Sequence, residues 1–406
     1  MQALIGFAGI AVLLSLAVLM SSNRRAINLR TVAIALVLQV AIAALILYVP
    51  FGRDALAAVV RAVQHVIDYA NVGIVFVFGD RARENLGFTI ALNVLPVIVF
   101  FSALMSVLYY LGIMQWVVAI LGGALRKLLR TSRVESMTAV SNIFIGHTEA
   151  PLVVKPYLAR ISESELFAVM TCGCATIAGA VMAGYASMGV SLEYLITASF
   201  MAAPGGLLMA KILMPETERG DESFDPRATE EERAVNIFEA IGNGAATGLT
   251  LALNVGAMLL AFVAMIALAN GLLSWLGGWV GIEELTLQLM LGQLFAPLAF
   301  LIGVPWEEAS QAGSLIGQKL IINEFYAYAS FVQVQEQLSP RTDIIVTFAL
   351  CGFANLASIA ILMGGLGSIV PSRRRDIARL GLKAVIGGTL SNLMSATLAG
   401  LFFTLQ

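Results

Sequence analysis

Apolar runs about as long as a bilayer is thick dominate this chain of 406 residues. Residues 2–21 and 31–49 are two of them, and a helix needs about 20 such residues to cross the hydrocarbon core. Hydrophobic residues make up 59% of the sequence and charged residues 12%, and the mean hydropathy of +0.88 is far above that of a soluble domain. Because lipid offers no partner to backbone N–H and C=O groups, these runs predict helices that bond internally. We therefore expect an all-α polytopic protein of the cell's inner (plasma) membrane.

Composition and motif content also argue against two classes of function. The 24 basic and 26 acidic residues nearly cancel and no basic tail is present, so the sequence offers no surface for a nucleic acid. The enzyme motifs GxSxG, HExxH and GxxxxGK are absent from it, and we expect no enzyme. Cys172, Cys174 and Cys351 match neither a disulfide framework nor a zinc spacing, which predicts small packing residues.

The basic residues set the expected orientation of the chain. The loop 23–30 carries three arginines and no acid, so the positive-inside rule places it in the cytoplasm and the N-terminus outside. The basic clusters at 126–133 and 373–375 then fall on the same side, and the last span carries the C-terminus outside. Residues 53–69 have one charged and one apolar side, which predicts a helix lying in the outer interface.

Two polar stretches interrupt apolar segments and predict re-entrant hairpins. Residues 134–160 end in basic residues on both sides and are interrupted at Gly146–Pro151, which indicates a hairpin that enters and leaves on the cytoplasmic side. Residues 306–333 form a second hairpin, opening from outside, with Asn323 and Glu324 at its tip. An ionisable group at bilayer depth costs about 2.5–3.5 kcal/mol, so acids held there should face something polar. We expect a transported solute.

The order of elements occurs twice with opposite orientation. In each half a hairpin is followed by a span broken at its middle, at 163–190 and at 341–370. Secondary transporters built from inverted repeats place a solute site at the midplane, between such broken helices. The predicted parts are 1–87 for scaffold helices and the interfacial helix, 88–214 for the first repeat, 215–244 for a cytoplasmic polar linker and 245–406 for the second repeat.

Helix ends inside the membrane leave backbone groups without internal partners, and these need ligands. Half-helix carbonyls with the side-chain oxygens of Asn142 and Thr176 could hold a sodium ion. Carboxylates form strong hydrogen bonds, about 1.5–3 kcal/mol each, with hydroxyl or imide donors. The side chains that could hold a neutral solute with many hydroxyls are those of Thr148, Glu149, Glu324, Asn355 and Ser358.

The same polar residues also allow structural interpretations. Glu149 and Glu324 could pair with Lys155, with Lys319 or with each other. The small polar residues could bond neighbouring helices, as they often do in membranes. His147 could equally be a structural donor, and Phe353 a packing residue.

Residues 146–158, GHTEAPLVVKPYL, are similar to the signature GQTEAPLLIRPYL of the concentrative nucleoside transporter family. Residues 317–328, GQKLIINEFYAY, are similar to its signature GxKxxxNEFxAY. Two long signatures in the correct order are specific, and the resemblance runs from about residue 90 to residue 400. Shorter similar segments lie at 175–179, 303–306 and 352–355.

The resemblance implies a homotrimer of eight-span protomers, in which a transport domain built from both hairpins and both broken helices moves against a scaffold. The nucleobase residues that it implies are His147, Thr148, Glu149, Val181 and Phe353. The ribose residues that it implies are Glu324, Asn355 and Ser358. The sodium ligands that it implies are the side chains of Asn142 and Thr176 and the backbone of Ile145 and Ile177.

We therefore expect a sodium-coupled symporter that concentrates uridine-like nucleosides by an elevator-type alternating-access mechanism. His147 stands where the signature has glutamine, and because imidazole titrates near neutrality the base preference stays open. Lys155 replaces the signature arginine and keeps the charge but loses the planar fork. The oxygens of Asn142 and Thr176 favour sodium over protons as the coupling ion. Proton-coupled nucleoside symport, a carrier for another polar solute and a channel are the alternatives.

Overall fold

The computed structural model describes residues 2–79, 88–218, 234–281 and 285–405. All regular elements in these ranges are helical, which confirms the predicted all-α class. The central part of the predicted polar linker, 219–233, lies outside the described residues.

Three helices form the N-terminal part of the chain. The side chain of Asn28 caps the second helix by accepting the N–H groups of Arg30 and Thr31 at 3.1 and 3.3 Å. The predicted interfacial helix is part of a longer helix, whose exposed face carries Phe51 and Phe76. The bounds are α1 Gln2–Leu19, α2 Leu29–Ala43 with a π-helical continuation Ala44–Tyr48, and α3 Pro50–Phe78.

The first hairpin has two unequal arms. Its first arm starts at a capping box, in which the Ser132 side chain accepts the Glu135 N–H and the Glu135 carboxylate accepts the Ser132 N–H. Its second arm is a short 3₁₀ helix, Ala150–Tyr157. The helices of this part, after a single turn at Ile90–Asn93, are α4 Leu95–Tyr110, α5 Ile113–Leu129 and α6 Arg133–Ser141.

A broken helix and a long buried helix follow the first hairpin. The backbone leaves the helical conformation at Thr176 and resumes it at Gly179, which confirms the interruption predicted near residues 172–179. The ammonium of Lys211, near the end of the long helix, lies 2.5 Å from a Glu135 carboxylate oxygen and so ties that helix to the first hairpin. The bounds are α7 Glu163–Ala175, α8 Gly179–Ser187 and α9 Leu192–Leu213.

The second half begins with a helix of 44 residues, whose first turns lie inside the predicted polar linker 215–244. The helix starts early because Asn236 caps it, with its side chain accepting the Glu239 N–H at 2.9 Å. The second hairpin consists of two helices joined at Ile322–Asn323, and a second helix break follows at residues 351–356. The bounds are α10 Ile237–Val280, α11 Leu287–Leu301, α12 Trp306–Ile321, α13 Glu324–Val334, α14 Pro340–Leu350, α15 Ala357–Gly364 and α16 Arg374–Thr404.

The core lies where the broken helices meet the last helix. Helix α7 packs against α9 and α16, and α14 also packs against α16. Helix α10 packs against α4 and carries a row of exposed apolar side chains, among them Leu260 and Trp279. Such side chains suit contact with lipid or with another copy of the chain.

Six helical segments of the described chain are long and apolar enough to cross a membrane. They are Leu29–Tyr48, Ile90–Tyr110, Glu163–Ser187, Leu192–Leu213, Ile237–Trp279 and Pro371–Thr404. Two shorter apolar helices, Leu4–Leu19 and Ala357–Ile369, correspond to the other two of the eight predicted spans. The count of eight and the inverted repeat stay predictions.

Candidate functional site

The tip of the first hairpin lies against the first helix break. The N–H of Gly179, at the start of α8, donates to the carbonyl oxygen of Phe144 at 3.0 Å. The carbonyl of Gly146 accepts the N–H groups of Glu149 and Ala150 at 3.0 and 2.9 Å, which turns the chain into the second arm. This turn places Glu149 directly before a helix N-terminus, where a negative charge is favourable.

The tip of the second hairpin presents Glu324 in the same way. Asn323 caps α13 by accepting the Tyr326 N–H at 2.8 Å, and Glu324 is the first residue of that helix. One carboxylate oxygen of Glu324 accepts the Tyr185 hydroxyl at 3.1 Å, and the other accepts the Asn355 amide at 2.9 Å. Because a carboxylate offers about four lone-pair sites, two of them remain for a solute.

The second helix break is held by its own polar side chains. The Asn355 side-chain oxygen accepts the Ser358 N–H at 2.9 Å and lies 3.1 Å from the Ser358 hydroxyl, which also donates to the carbonyl of Phe353. The Leu356 N–H donates to the carbonyl of Leu320, in the second hairpin, at 3.1 Å. Together these bonds place Asn355 and Ser358 beside Glu324.

A cavity of about 1400 Å³ lies between the two hairpin tips, and all eight predicted solute residues line it. The imidazole of His147 contacts the ring of Phe353, with 4.9 Å between the ring centroids. The cavity is larger than most small-molecule pockets, which hold about 300–1,000 Å³. It offers carboxylates, an amide, hydroxyls and an aromatic face, a set that suits a solute with several hydroxyls and a flat ring. The eight residues are His147, Thr148, Glu149, Val181, Glu324, Phe353, Asn355 and Ser358.

The predicted sodium ligands come from the first hairpin, Asn142 and Ile145, and from the first helix break, Thr176 and Ile177. Asn142 is fully buried, and its side-chain oxygen accepts no hydrogen bond from the described residues, while its amide donates to Thr138 at 2.9 Å. The Thr176 hydroxyl donates to the Cys172 carbonyl at 3.0 Å, so its oxygen keeps lone pairs for a cation. Ile145 and Ile177 are also buried. Because buried oxygens at helix breaks can coordinate a cation, these residues are candidates for a sodium site.

Comparison with known proteins identifies the family of the chain. A family profile described as "Na+ dependent nucleoside transporter C-terminus" matches residues 194–400. The profile for the N-terminus of the same transporters matches residues 8–81, and one described as "Nucleoside recognition" matches residues 91–192. The chain belongs to the concentrative nucleoside transporter family.

Relatives within the concentrative nucleoside transporter family match over the whole chain. "Nucleoside permease NupC" of Helicobacter pylori is 54% identical, over 100% of this chain and 99% of that protein. "Solute carrier family 28 member 3" of Homo sapiens is 39% identical, over 98% of this chain and 60% of that protein. The family consists of nucleoside transporters and not of enzymes, so the prediction of a non-enzyme is confirmed.

Solved structures of the concentrative nucleoside transporter CNTnw share the fold. CNTnw in an inward-facing substrate-bound state is 56% identical with a TM-score of 0.96, covering 100% of this chain and 99% of that one. A doubly substituted CNTnw in an outward-facing state is 55% identical with a TM-score of 0.97, covering 100% of both chains. The fold therefore exists in states open to either side.

In this concentrative nucleoside transporter, Lys319 does not pair with Glu324, although the sequence allowed that interpretation. Lys319 and Glu324 each bond other groups. The Lys319 ammonium donates to the Ala349 carbonyl and to the Asn392 side-chain oxygen, at 2.8 and 2.7 Å. The Glu324 carboxylate is bonded by neutral donors. The three cysteines are free and buried, as their predicted packing role requires.

Sequence reasoning missed the opposite wall of the cavity, which helices α4 and α10 form. Polar residues of α10 face the cavity at intervals of four, three and four residues, which is one side of a helix. This spacing inside an apolar helix is a readable signal, although Asn243 falls in the predicted polar linker 215–244 and the other three residues fall in the second repeat. We call these residues the polar stripe; they are Asn243, Thr247, Thr250 and Asn254.

Proposed function

We propose that the chain is a sodium-coupled symporter that concentrates uridine-like nucleosides by an elevator-type alternating-access mechanism. The observation that carries the proposal is that Glu149 and Glu324, from two different hairpins, line the same cavity. Two acids are costly at membrane depth unless they face donors, and a nucleoside supplies donors at both its sugar and its base.

In this proposal the ribose binds at Glu324, Asn355 and Ser358. Their mutual hydrogen bonds pre-orient the carboxylate, so that its remaining lone pairs can accept two hydroxyls. A solute that lacks one hydroxyl leaves a buried acceptor unpaired, and sites of this kind reject such analogues strongly.

The nucleobase binds between the first hairpin tip and Phe353. Phe353 and Val181 supply the apolar surfaces, while Thr148 and Glu149 reach the polar edge of the base. His147 contacts the Phe353 ring, and its Nε2 has no hydrogen-bond partner among the described residues. An imidazole nitrogen in place of the family's glutamine amide offers one polar atom to the base where the amide offers two.

Sodium binds at Asn142 and Thr176 with the backbone of Ile145 and Ile177, next to the nucleobase residues. The buried Asn142 oxygen without a donor supports a cation there. Because the ion would lie between the first hairpin tip and α7, it would stabilise the tip in the form that holds the base.

The remaining features of the proposal come from the resemblance to the family and, for the termini, from the basic loop 23–30. The protein is a homotrimer with both termini outside, and its hairpins and broken helices move together past a fixed scaffold. The polar stripe on α10 supports this movement, because it extends along the cavity and can bond solute hydroxyls on the way. The existence of inward-facing and outward-facing structures of a relative is consistent with it.

Uptake of labelled uridine into proteoliposomes tests the proposal. With an inward sodium gradient, uridine inside should rise above its external concentration, and with choline in place of sodium it should not. Asn142→Leu should abolish the sodium-driven accumulation, whereas a matched substitution at Asn270, whose amide bonds Gln288 away from the cavity, should leave it.

The same assay separates the alternatives. Accumulation driven by an inward proton gradient without sodium would replace sodium by protons as the coupling ion. Equilibration that ignores both gradients would indicate a channel. Absence of uridine uptake, with uptake of another polar solute, would overturn the substrate assignment.

A further inference from the structure

We propose that Asn392, oriented by Lys319, is the positioning residue that couples sodium binding to nucleoside binding. The inference rests on the proposed function, which places sodium at the first helix break and the nucleoside at the second. Asn392 belongs to α16 and lies outside the cavity, so it touches neither ligand in this assignment.

One side chain holds the ends of both half-helices. The amide of Asn392 donates to the carbonyl of Ala175 at 2.6 Å and to the carbonyl of Cys351 at 2.8 Å. Ala175 directly precedes Thr176, and Cys351 begins the segment that carries Phe353. The two N–H bonds of a single amide therefore join the proposed ion site to the proposed nucleoside site.

Lys319 fixes which way this amide points. Lys319 is 1% exposed, and its ammonium donates to the Asn392 side-chain oxygen at 2.7 Å and to the Ala349 carbonyl at 2.8 Å. An ammonium only donates, so the oxygen of the amide must face Lys319 and its nitrogen must face the two carbonyls. Lys319 is in the last turn of α12, five residues before Glu324, and the second hairpin thereby joins the same cluster.

Close packing makes this junction stiff. A Cβ added at Gly352 would lie 2.3 Å from the Asn392 side-chain oxygen, and one added at Gly388 would lie 2.6 Å from the Cβ of Cys174. Gly388 and Asn392 are four residues apart on one face of α16, so this face packs against both helix breaks. Close packing leaves neither break room to shift toward α16, and the two Asn392 hydrogen bonds hold both breaks to it.

A second bond joins the breaks directly. The Phe353 N–H donates to the carbonyl of Thr176 at 3.1 Å, which links the backbone of a proposed base residue to that of a proposed sodium ligand. Sodium that orders the first break would therefore also order the second, through this bond and through Asn392. Linkage requires the converse as well: bound nucleoside must raise sodium affinity by the same factor.

The test compares nucleoside affinity with and without sodium, by calorimetry on the full-length purified protein. In the unsubstituted chain we expect saturating sodium to raise uridine affinity by about 5- to 150-fold, the usual range of coupling between two sites. Asn392→Asp keeps the acceptor for Lys319 and removes both N–H donors. In this variant the factor by which sodium raises uridine affinity, which we call the sodium effect, should fall to about 2-fold or less. Lys319→Met frees the Asn392 amide to rotate and should also reduce the sodium effect. If Asn392→Asp does not fold, the result for Lys319→Met tests the inference.

Ser395→Ala is the matched control. Ser395 lies one turn further along α16, is buried and is bonded by Gln39 at 2.9 Å, but contacts neither break through that bond. Its sodium effect should equal that of the unsubstituted chain.

The outcomes separate the inference from the proposed function. If sodium does not change uridine affinity in the unsubstituted chain, the sodium-coupled function falls, and the inference with it. If sodium does raise affinity, and a folded Asn392→Asp or Lys319→Met variant shows the same ratio, the function stands and the inference is overturned. A variant that weakens binding equally with and without sodium also overturns it, because its effect is then only structural.

Discussion

The hydroxyl of Tyr185 lies 3.1 Å from a carboxylate oxygen of Glu324, although the two residues are 139 positions apart in the chain. Tyr185 belongs to the second part of the first broken helix, and Glu324 to the tip of the second hairpin. This bond joins the two halves of the chain at the cavity. It also identifies Glu324 as the acid whose replacement should lower nucleoside affinity most.

Glu324→Gln should lower riboside affinity by about 10- to 100-fold, since charge-assisted hydrogen bonds contribute about 1.5–3 kcal/mol. The amide still accepts one bond at its oxygen, so the fold should persist. Calorimetry with uridine gives the affinity, and size-exclusion chromatography gives the assembly state. Unfolding or aggregation of the purified variant would favour the structural interpretation of Glu324.

Tyr185→Phe should lower uridine affinity by about fivefold, because it removes one of the two donors that orient Glu324 and a hydrogen bond contributes about 1 kcal/mol. Tyr328→Phe is the control, since the Tyr328 hydroxyl donates to the Thr347 carbonyl at 2.8 Å instead. Uridine binding should separate the two variants. Equal losses in both would mean that the effect does not come from the bond between Tyr185 and Glu324.

Thr176→Ala should raise the sodium concentration needed for half-maximal uptake, because it removes a proposed ion ligand. The maximal rate at saturating sodium should change less. Thr397→Ala is a suitable control: Thr397 is fully buried and bonds the Leu393 carbonyl within α16. An unchanged sodium dependence in Thr176→Ala would remove Thr176 from the ion site.

The double variant Thr247→Val and Thr250→Val should slow uridine turnover several-fold, while equilibrium uridine affinity stays the same. Valine keeps the shape of threonine but removes the hydroxyl that a moving solute could bond. Leu249→Val, on a neighbouring exposed face of α10, should leave turnover unchanged. Reduced affinity in place of reduced turnover would place the polar stripe in the resting binding site.

Lys211→Met should lower the free energy of unfolding by about 3–5 kcal/mol, because it leaves the buried Glu135 carboxylate without its cation. Adding Glu135→Leu should restore part of the loss. Thermal unfolding in detergent measures both variants. A double variant no more stable than the single one would show that Glu135 contributes chiefly through its capping box.

Sequence patterns predicted those parts of the fold and site that depend on local chemistry. Apolar length predicted the spans, and polar residues in apolar runs marked both hairpins and both breaks. The association of Glu149, Glu324 and Asn355 around one cavity was expected from the repeated order of elements, and the residues do lie there.

The sequence did not indicate the contacts that depend on tertiary packing. The bond from Tyr185 to Glu324 and the pairing of Lys319 with Asn392 join residues from distant segments, and neither spacing nor periodicity encodes them. The start of α10 was misjudged for a local reason, because Asn236 and Glu239 resembled a polar linker and instead cap the helix.

The length of α10 has a consequence for the surrounding lipid. At 1.5 Å per residue its 44 residues form a rod about 66 Å long, roughly twice the thickness of a hydrocarbon core of about 30 Å. Even at a slant of 40°, the upper end of the usual range, the rod would rise about 50 Å, so one end must protrude into water or bend the bilayer around it. Bilayer thickness should therefore influence the tilt of α10 and, because α10 forms one wall of the cavity, the orientation of that wall relative to the membrane.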